Sequence, residues 1–261
     1  MRYTPAVPAS KPALTSRTRT LETMQTPFNT MEVVQVGERV DMDVAGATYA
    51  TWHPEHLLTG YSWDALSVGC LLRAAGPPAS VLLLGLGGGT VARQLRHFLP
   101  GVRIVGIEID QGVVDLAQRH LHLDKAVEVH VADAYDWLAS ATETFDAVID
   151  DLFLTGATDV VRSRVPEGDT LALVRRRVAP GGVVVANLIT DVGDHNTVRR
   201  KTRSAFRDAF ASGRVVTPPR GLNEILVGGD GVKTGKVLKR YATGLVEEDQ
   251  GFLDMIVVSA L

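Results

Sequence analysis

Val81-Leu82-Leu83-Leu84-Gly85-Leu86-Gly87-Gly88-Gly89-Thr90, followed at the end of the next apolar run by Ile107-Glu108-Ile109-Asp110, is the stretch that decides the fold. An apolar run of strand type leads straight into glycines. These let the backbone turn sharply and bring its N–H groups and the next helix N-terminus against a ligand. An acid ending the second strand suits a ribose diol, because one carboxylate can accept from both hydroxyls. The dinucleotide fingerprint requires Gly at 85, 87 and 90, and position 90 is Thr, so NAD or FAD is the poorer reading.

Outward from this stretch, apolar β-type runs alternate with helical ones. Val81 to Leu84 precedes Thr90 to Phe98, Val102 to Ile107 precedes Gln111 to Leu121, and the series continues through Val127 to Val131, Phe145 to Ile149, Asp169 to Val178, Gly182 to Leu188 and Asn196 to Phe210. Near-continuous Val/Ile/Leu strands between helices predict an α/β fold, a Rossmann-like, doubly wound, mostly parallel sheet. Arg214 to Thr217 and Glu224 to Gly228 are too close together for a crossover helix and predict an antiparallel pair at the sheet edge. The expected organisation is a flexible arm over 1–27, a small β-hairpin region over 28–59, a nucleoside-binding domain over 60–229 and a C-terminal extension over 230–261. The arm is read from Pro, Thr, Ser and Ala with few apolar groups to offset the entropy of ordering. A basic, acid-poor start also admits a transit peptide, although no amphipathic period supports one.

Two further acids fall in register with Glu108. Asp133 follows the run Val127 to Val131, where it could accept from an adenine amino group, and Asp150 and Asp151 end the run Phe145 to Ile149. Acids at the same edge of neighbouring parallel strands converge on one crevice, where open α/β sheets bind ligands.

These residues resemble the class I S-adenosylmethionine-dependent transferases, and in particular the spermidine synthase-like aminopropyltransferases. Val81 to Gly89 is similar to that family's hydrophobic strand and Gly-Gly-Gly-Asp-Gly loop, and Val105-Gly106-Ile107-Glu108-Ile109-Asp110 to its Val-Glu-Ile-Asp. Ala132-Asp133-Ala134 and Phe145 to Asp151 continue the match. The resemblance implies that Gly85, Gly87, Gly88 and Gly89 line the methionine part of the donor. It also implies that Glu108 and Ile109 hold the ribose and Asp133 with Ala134 the adenine. Asp151 falls at the family's catalytic aspartate, with Asp150 beside it as an alternative base and Tyr61 near a substrate-pocket tyrosine. Trp52 and Trp63 are candidate cation-π walls for an amine or a sulfonium. Relatives commonly pair, which implies a homodimer.

The departures from the family pattern bear on the reaction. The loop aspartate that engages the amine end of decarboxylated S-adenosylmethionine is Gly88 here, and free glycine N–H groups at a helix N-terminus would welcome a carboxylate. The family's second acid falls at Leu154. Both point first to a methyltransferase of spermidine synthase-like fold using intact S-adenosylmethionine on a small molecule, an amine among the acceptors considered. The alternative is a polyamine aminopropyltransferase, favoured by Leu83, where most methyltransferases carry an acid. A third reading is a non-catalytic nucleoside-binding protein.

Composition sets the limits. The chain has 261 residues, 45% hydrophobic and 22% charged, enough for a large core. No run approaches the ~20 apolar residues of a membrane span, and no membrane partner is expected. A net charge of -3 repels a phosphate backbone, so no nucleic-acid partner is expected; Arg199, Arg203 and Arg207 read as a solvated helix face. The one cysteine, Cys70, forms no internal disulfide and reads as core; with no secretory segment evident, a cytoplasmic location is expected. The histidines lack metal-site spacing and no metal is expected.

Overall fold

The computed structural model describes residues 18–44, 46–155, 160–162, 164–190 and 195–261. Four strands come first, β1 (Thr18–Gln25), β2 (Thr30–Val36), β3 (Arg39–Val44) and β4 (Ala47–Trp52), forming an antiparallel meander in that order. The strand β1 corrects the expected arm: Thr18 to Gln25 pairs with Val36 to Thr30, and Leu21 and Met24 rest on the core. Backbone pairing with β2 supplies what composition alone lacks. Residues 1–17 of that expected arm lie outside the described residues.

The main body continues through α1 (Ser62–Leu71), β5 (Ser80–Leu84), α2 (Thr90–Phe98), β6 (Arg103–Glu108), α3 (Gln111–His120), β7 (Glu128–Val131), α4 (Ala134–Ser140) and β8 (Phe145–Asp150). A short antiparallel ladder, β9 (Phe153–Thr155) with β10 (Val160–Arg162), precedes α5 (Gly168–Arg175), β11 (Val178–Ile189), α6 (His195–Ala209), β12 (Ser212–Thr217) and β13 (Asn223–Gly229). A 3-10 turn, Gly235–Tyr241, leads to α7 (Glu247–Met255) and β14 (Val257–Ala260).

The large sheet has the order β14-β12-β13-β11-β8-β5-β6-β7, parallel from β11 to β7 and antiparallel from β13 to β14. Two expectations are corrected. The pair β12 and β13 is antiparallel but does not end the sheet, because β14 takes the edge. The C-terminal extension is thus part of the domain, with Phe252 and Leu253 of α7 buried. Adjacent strand residues point to opposite faces, and the interior splits accordingly. Val81, Leu83, Ala147, Ile149, Val183 and Val185 face α1, α2, α3 and the meander. Leu82, Leu84, Val148, Val184 and Ala186 face α4, α5 and α6. A sheet buried on both faces explains its continuous apolar strands.

Two polar features are structural. Asp64, wholly enclosed, accepts from Thr59 N–H, Gly60 N–H and Gln94 Nε2, fixing the entry to α1; burial pushes its carboxyl up to about 6. On α6, Arg199 and Arg203 both donate to Glu224, so this part of the basic face packs on a buried acid and is not simply solvated. Cys70 is buried, which pushes its thiol up and leaves it a core residue.

Candidate active site

At the carboxyl ends of β5, β6 and β8 the chain opens a cleft of about 350 Å³, in the size range of small-ligand sites. Gly85, at φ +84°, begins the turn after β5 and lies directly beneath the end of β8. A Cβ there would come 2.5 Å from the carbonyl oxygen of Asp151, so only glycine fits. Gly85 and Leu86 N–H both donate to Ile107 O at 3.0 Å, Gly89 N–H to Leu86 O at 3.2 Å, and Gly87 N–H to Glu108 Oε2 at 2.9 Å. Four of the five backbone donors from 85 to 89 are therefore engaged inside the protein. The loop is largely a support, which narrows the anion cradle expected from its N–H groups to Gly88 and the first turn of α2.

The direction of Gly88 is a second correction. A Cβ at 88 would lie 2.3 Å from Ala50 Cβ and 2.8 Å from Leu121 Cδ1, so a side chain there points into the contact with β4. Gly88 meets the cleft through its backbone, and its lack of a carboxylate does not select a donor. Gly89 caps α2 at φ +84° and backs onto Leu123; it does not line the cleft. Thr90 Oγ1 donates to Thr51 O and accepts from Thr51 N–H, tying the loop to β4.

Glu108 ends β6 with its Oε1 accepting from Asp110 N–H at 3.2 Å; burial raises its pKa against these backbone bonds. Ile109 lines the cleft beside it. Asp133 caps α4, its Oδ1 accepting from Tyr135 and Asp136 N–H, while Oδ2 stays outside the cap; Ala134 lines the wall next to it. Asp110 does not line the cleft. Its Oδ2 accepts from Thr26 Oγ1 at 2.6 Å and so holds the β1–β2 turn, with Phe28 and Asn29, over the mouth.

Asp150 and Asp151 are separated by their neighbours. Asp150 is 1% exposed, turned away from the cleft and held by Arg162, so it is not placed to act on a substrate. Asp151 lines the cleft, and its Oδ1 accepts from Asn187 Nδ2 at 2.7 Å. Burial pushes its carboxyl up to about 6, opposed by the Asn187 bond and the Arg162 charge. Asn187 in turn accepts from Asn223 Nδ2 at 3.0 Å. Neither Asn187 nor Arg162 is among the site residues expected from the sequence; an amide in an otherwise apolar strand is the signal that could have found Asn187, and Arg162 carries none comparable.

Of the aromatic candidates, Trp63 lines the cleft. Tyr61 does not: it is 44% exposed, edge-on to Trp63, with Arg220 over its ring. Trp52 does not either, being stacked on His122 at 4.2 Å and covered by Arg93. The described ionisable residues lining the cleft are Glu108, Asp133, Asp151 and Tyr49 and Tyr135, with no Lys, Arg or His. Such a site suits a cation. Its ribose-type carboxylate, glycine turn and second acid fit a nucleoside sulfonium donor.

Comparisons with known proteins agree on the fold. Residues 81–182 match a family model described as a methyltransferase domain. A probable polyamine aminopropyl transferase of Bifidobacterium longum is 27% identical over 194 residues, 73% of this chain and 42% of that protein. A probable spermidine synthase from Corynebacterium glutamicum superimposes with TM-score 0.73 at 20% identity, covering 92% of this chain and 90% of that one. Human methyltransferase-like protein 13, solved with SAH, gives TM-score 0.53 at 23% identity over 74% of this chain and 89% of that one. The chain spans less than half the length of the curated relatives it matches. It has the spermidine synthase-like form of the class I methyltransferase fold.

Proposed function

We propose that the chain is a group transferase that takes an aminopropyl group from decarboxylated S-adenosylmethionine and passes it to an amine. The observation that carries this reading is the charge of the cleft: among the described lining residues the charged side chains are acids, and four of the five loop N–H groups that could greet a donor carboxylate are bonded inside the protein. A donor without that carboxylate carries one more net positive charge and meets no unfavourable partner. The aminopropyl transferase and spermidine synthase names of similar proteins support the same choice.

In this reading Glu108 holds the ribose hydroxyls, Asp133 with Ala134 the adenine, and the turn at Gly85 to Gly88 lies under the rest of the donor. Bound there, the donor supplies an electrophilic sulfonium carbon: the acceptor nitrogen forms the C–N bond as the C–S bond breaks and sulfur keeps the electron pair as a thioether. Asp151 orients the amine and receives its proton, with Asn187 and Asn223 fixing the carboxylate. Product analysis by mass spectrometry tests this: the adduct gains an aminopropyl group, and methylthioadenosine accumulates. Methyl transfer from intact S-adenosylmethionine is the second reading, favoured by Leu154, which places an apolar side chain in the cleft where a second acid would grip a polyamine. Its signature is a methylated product with S-adenosylhomocysteine.

A further inference from the structure

The cleft changes character at Asp151. Toward β5, β6 and β7 lie the glycine turn, Glu108 and Asp133. Over β8, β11 and β13 the walls are Trp63, Phe153, Leu154, Ile189 and Leu222, above the amides of Asn187 and Asn223. Among the described lining residues of that half, Asp151 is the one carrying charge. Leu154 and Leu222 are 42% and 52% exposed at the mouth, an apolar rim open to solvent in the same cleft as the Asp151 carboxylate. Exposed large apolar groups clustered at a cleft mark a contact surface. The wall is also built firmly. Phe153 sits on β9, its ladder partner Arg162 lies over its ring at 5.0 Å, and Thr190 N–H donates to Leu222 O at 2.7 Å, joining the end of β11 to the turn before β13.

We infer that the acceptor is an amine with a single cationic nitrogen and an apolar alkyl or aryl tail, and that Leu154 and Leu222 are the residues that specify the tail. The inference rests on the transferase reading above and sharpens its acceptor. Seated at Asp151, the ammonium gives up one proton to the carboxylate; the freed lone pair makes the C–N bond, the C–S bond breaks, and the electrons leave on sulfur. The remainder of the molecule then runs across Leu154 and Leu222. An apolar tail gains from leaving water there. A second ammonium at that position loses hydration and meets no carboxylate among the described lining residues.

Initial rates with radiolabelled decarboxylated donor, comparing butylamine and phenethylamine with putrescine, test the inference. The expected result is a kcat/KM for the monoamines at least tenfold above that for putrescine. Leu154→Asp and Leu222→Asp should each shrink or invert the ratio, and Leu154→Asn should do so far less. Calorimetric donor binding unchanged in these rim variants shows that the fold is kept. Equal or greater use of putrescine by the wild-type protein overturns the inference and leaves the transferase reading standing. Donor binding without transfer to any amine overturns both.

Discussion

Arg162 directs both terminal guanidinium nitrogens, Nη1 and Nη2, at one oxygen of Asp150, each at 3.0 Å, with the two side chains only 3% and 1% exposed. Nη2 also donates to Asp150 O and Nε to Asn187 O, so a single side chain fastens the β9–β10 ladder to the ends of β8 and β11. Buried pairs are costly to break from one side, because the remaining charge loses its partner. Arg162→Met should therefore destabilise by roughly 3–5 kcal/mol, read from urea denaturation. The double variant Asp150→Val with Arg162→Met should recover most of that loss; if it unfolds as easily as the single variant, the pair is not the anchor described.

Asp151 gives a pH-dependent trade between stability and activity. Its carboxyl is pushed up to about 6 by burial, so the folded chain holds this proton more tightly than the unfolded chain. The associated stability is present below the ordinary value of ~3.9 and is lost as pH rises through about 6. Asp151→Asn should thus be more stable than wild type at neutral pH, by up to roughly 3 kcal/mol on ~1.4 kcal/mol per pKa unit, and indistinguishable near pH ~4. Its turnover should fall by about 10²–10⁴-fold. Retained turnover would remove Asp151 from the chemistry.

The rate should follow the same group. With Asp151 as proton acceptor, kcat/KM rises with pH through about 6 as the carboxylate forms. Asn187→Ala removes a hydrogen bond that favours the charged form. The inflection should then move upward. A pH profile that keeps its midpoint in this variant contradicts the positioning assigned to Asn187.

Gly88 yields a prediction about specificity. Because a Cβ there meets Ala50 at 2.3 Å, Gly88→Ala should destabilise by about 1–3 kcal/mol through overpacking. Gly88→Asp should lower stability further without tightening decarboxylated donor. Tighter donor binding by Gly88→Asp, in calorimetry on the folded protein, would show that the side chain reaches the cleft after all.

What the sequence made legible follows from how local each signal is. The parallel strands, the glycine turn and the acids Glu108, Asp133 and Asp151 are written in contiguous runs whose period and end residues carry their meaning. The neighbours Asp150 and Asp151 looked alike because their opposite fates depend on Arg162 and Asn187, brought in from other strands. Gly88 misled because the space it faces belongs to Ala50 of β4, far away in sequence. The strand β14 and the order of the antiparallel edge were hidden in a mixed C-terminal segment, where pairing partners and not local pattern decide.

Calorimetric titration of the protein with decarboxylated and with intact S-adenosylmethionine tests most directly whether the acids among the described lining residues of the cleft select the donor. The decarboxylated form should bind at least tenfold more tightly, about 1.4 kcal/mol, with the difference narrowing as salt is added. Equal affinity, or tighter binding of the intact donor, would contradict this selection and make methyl transfer the working reading.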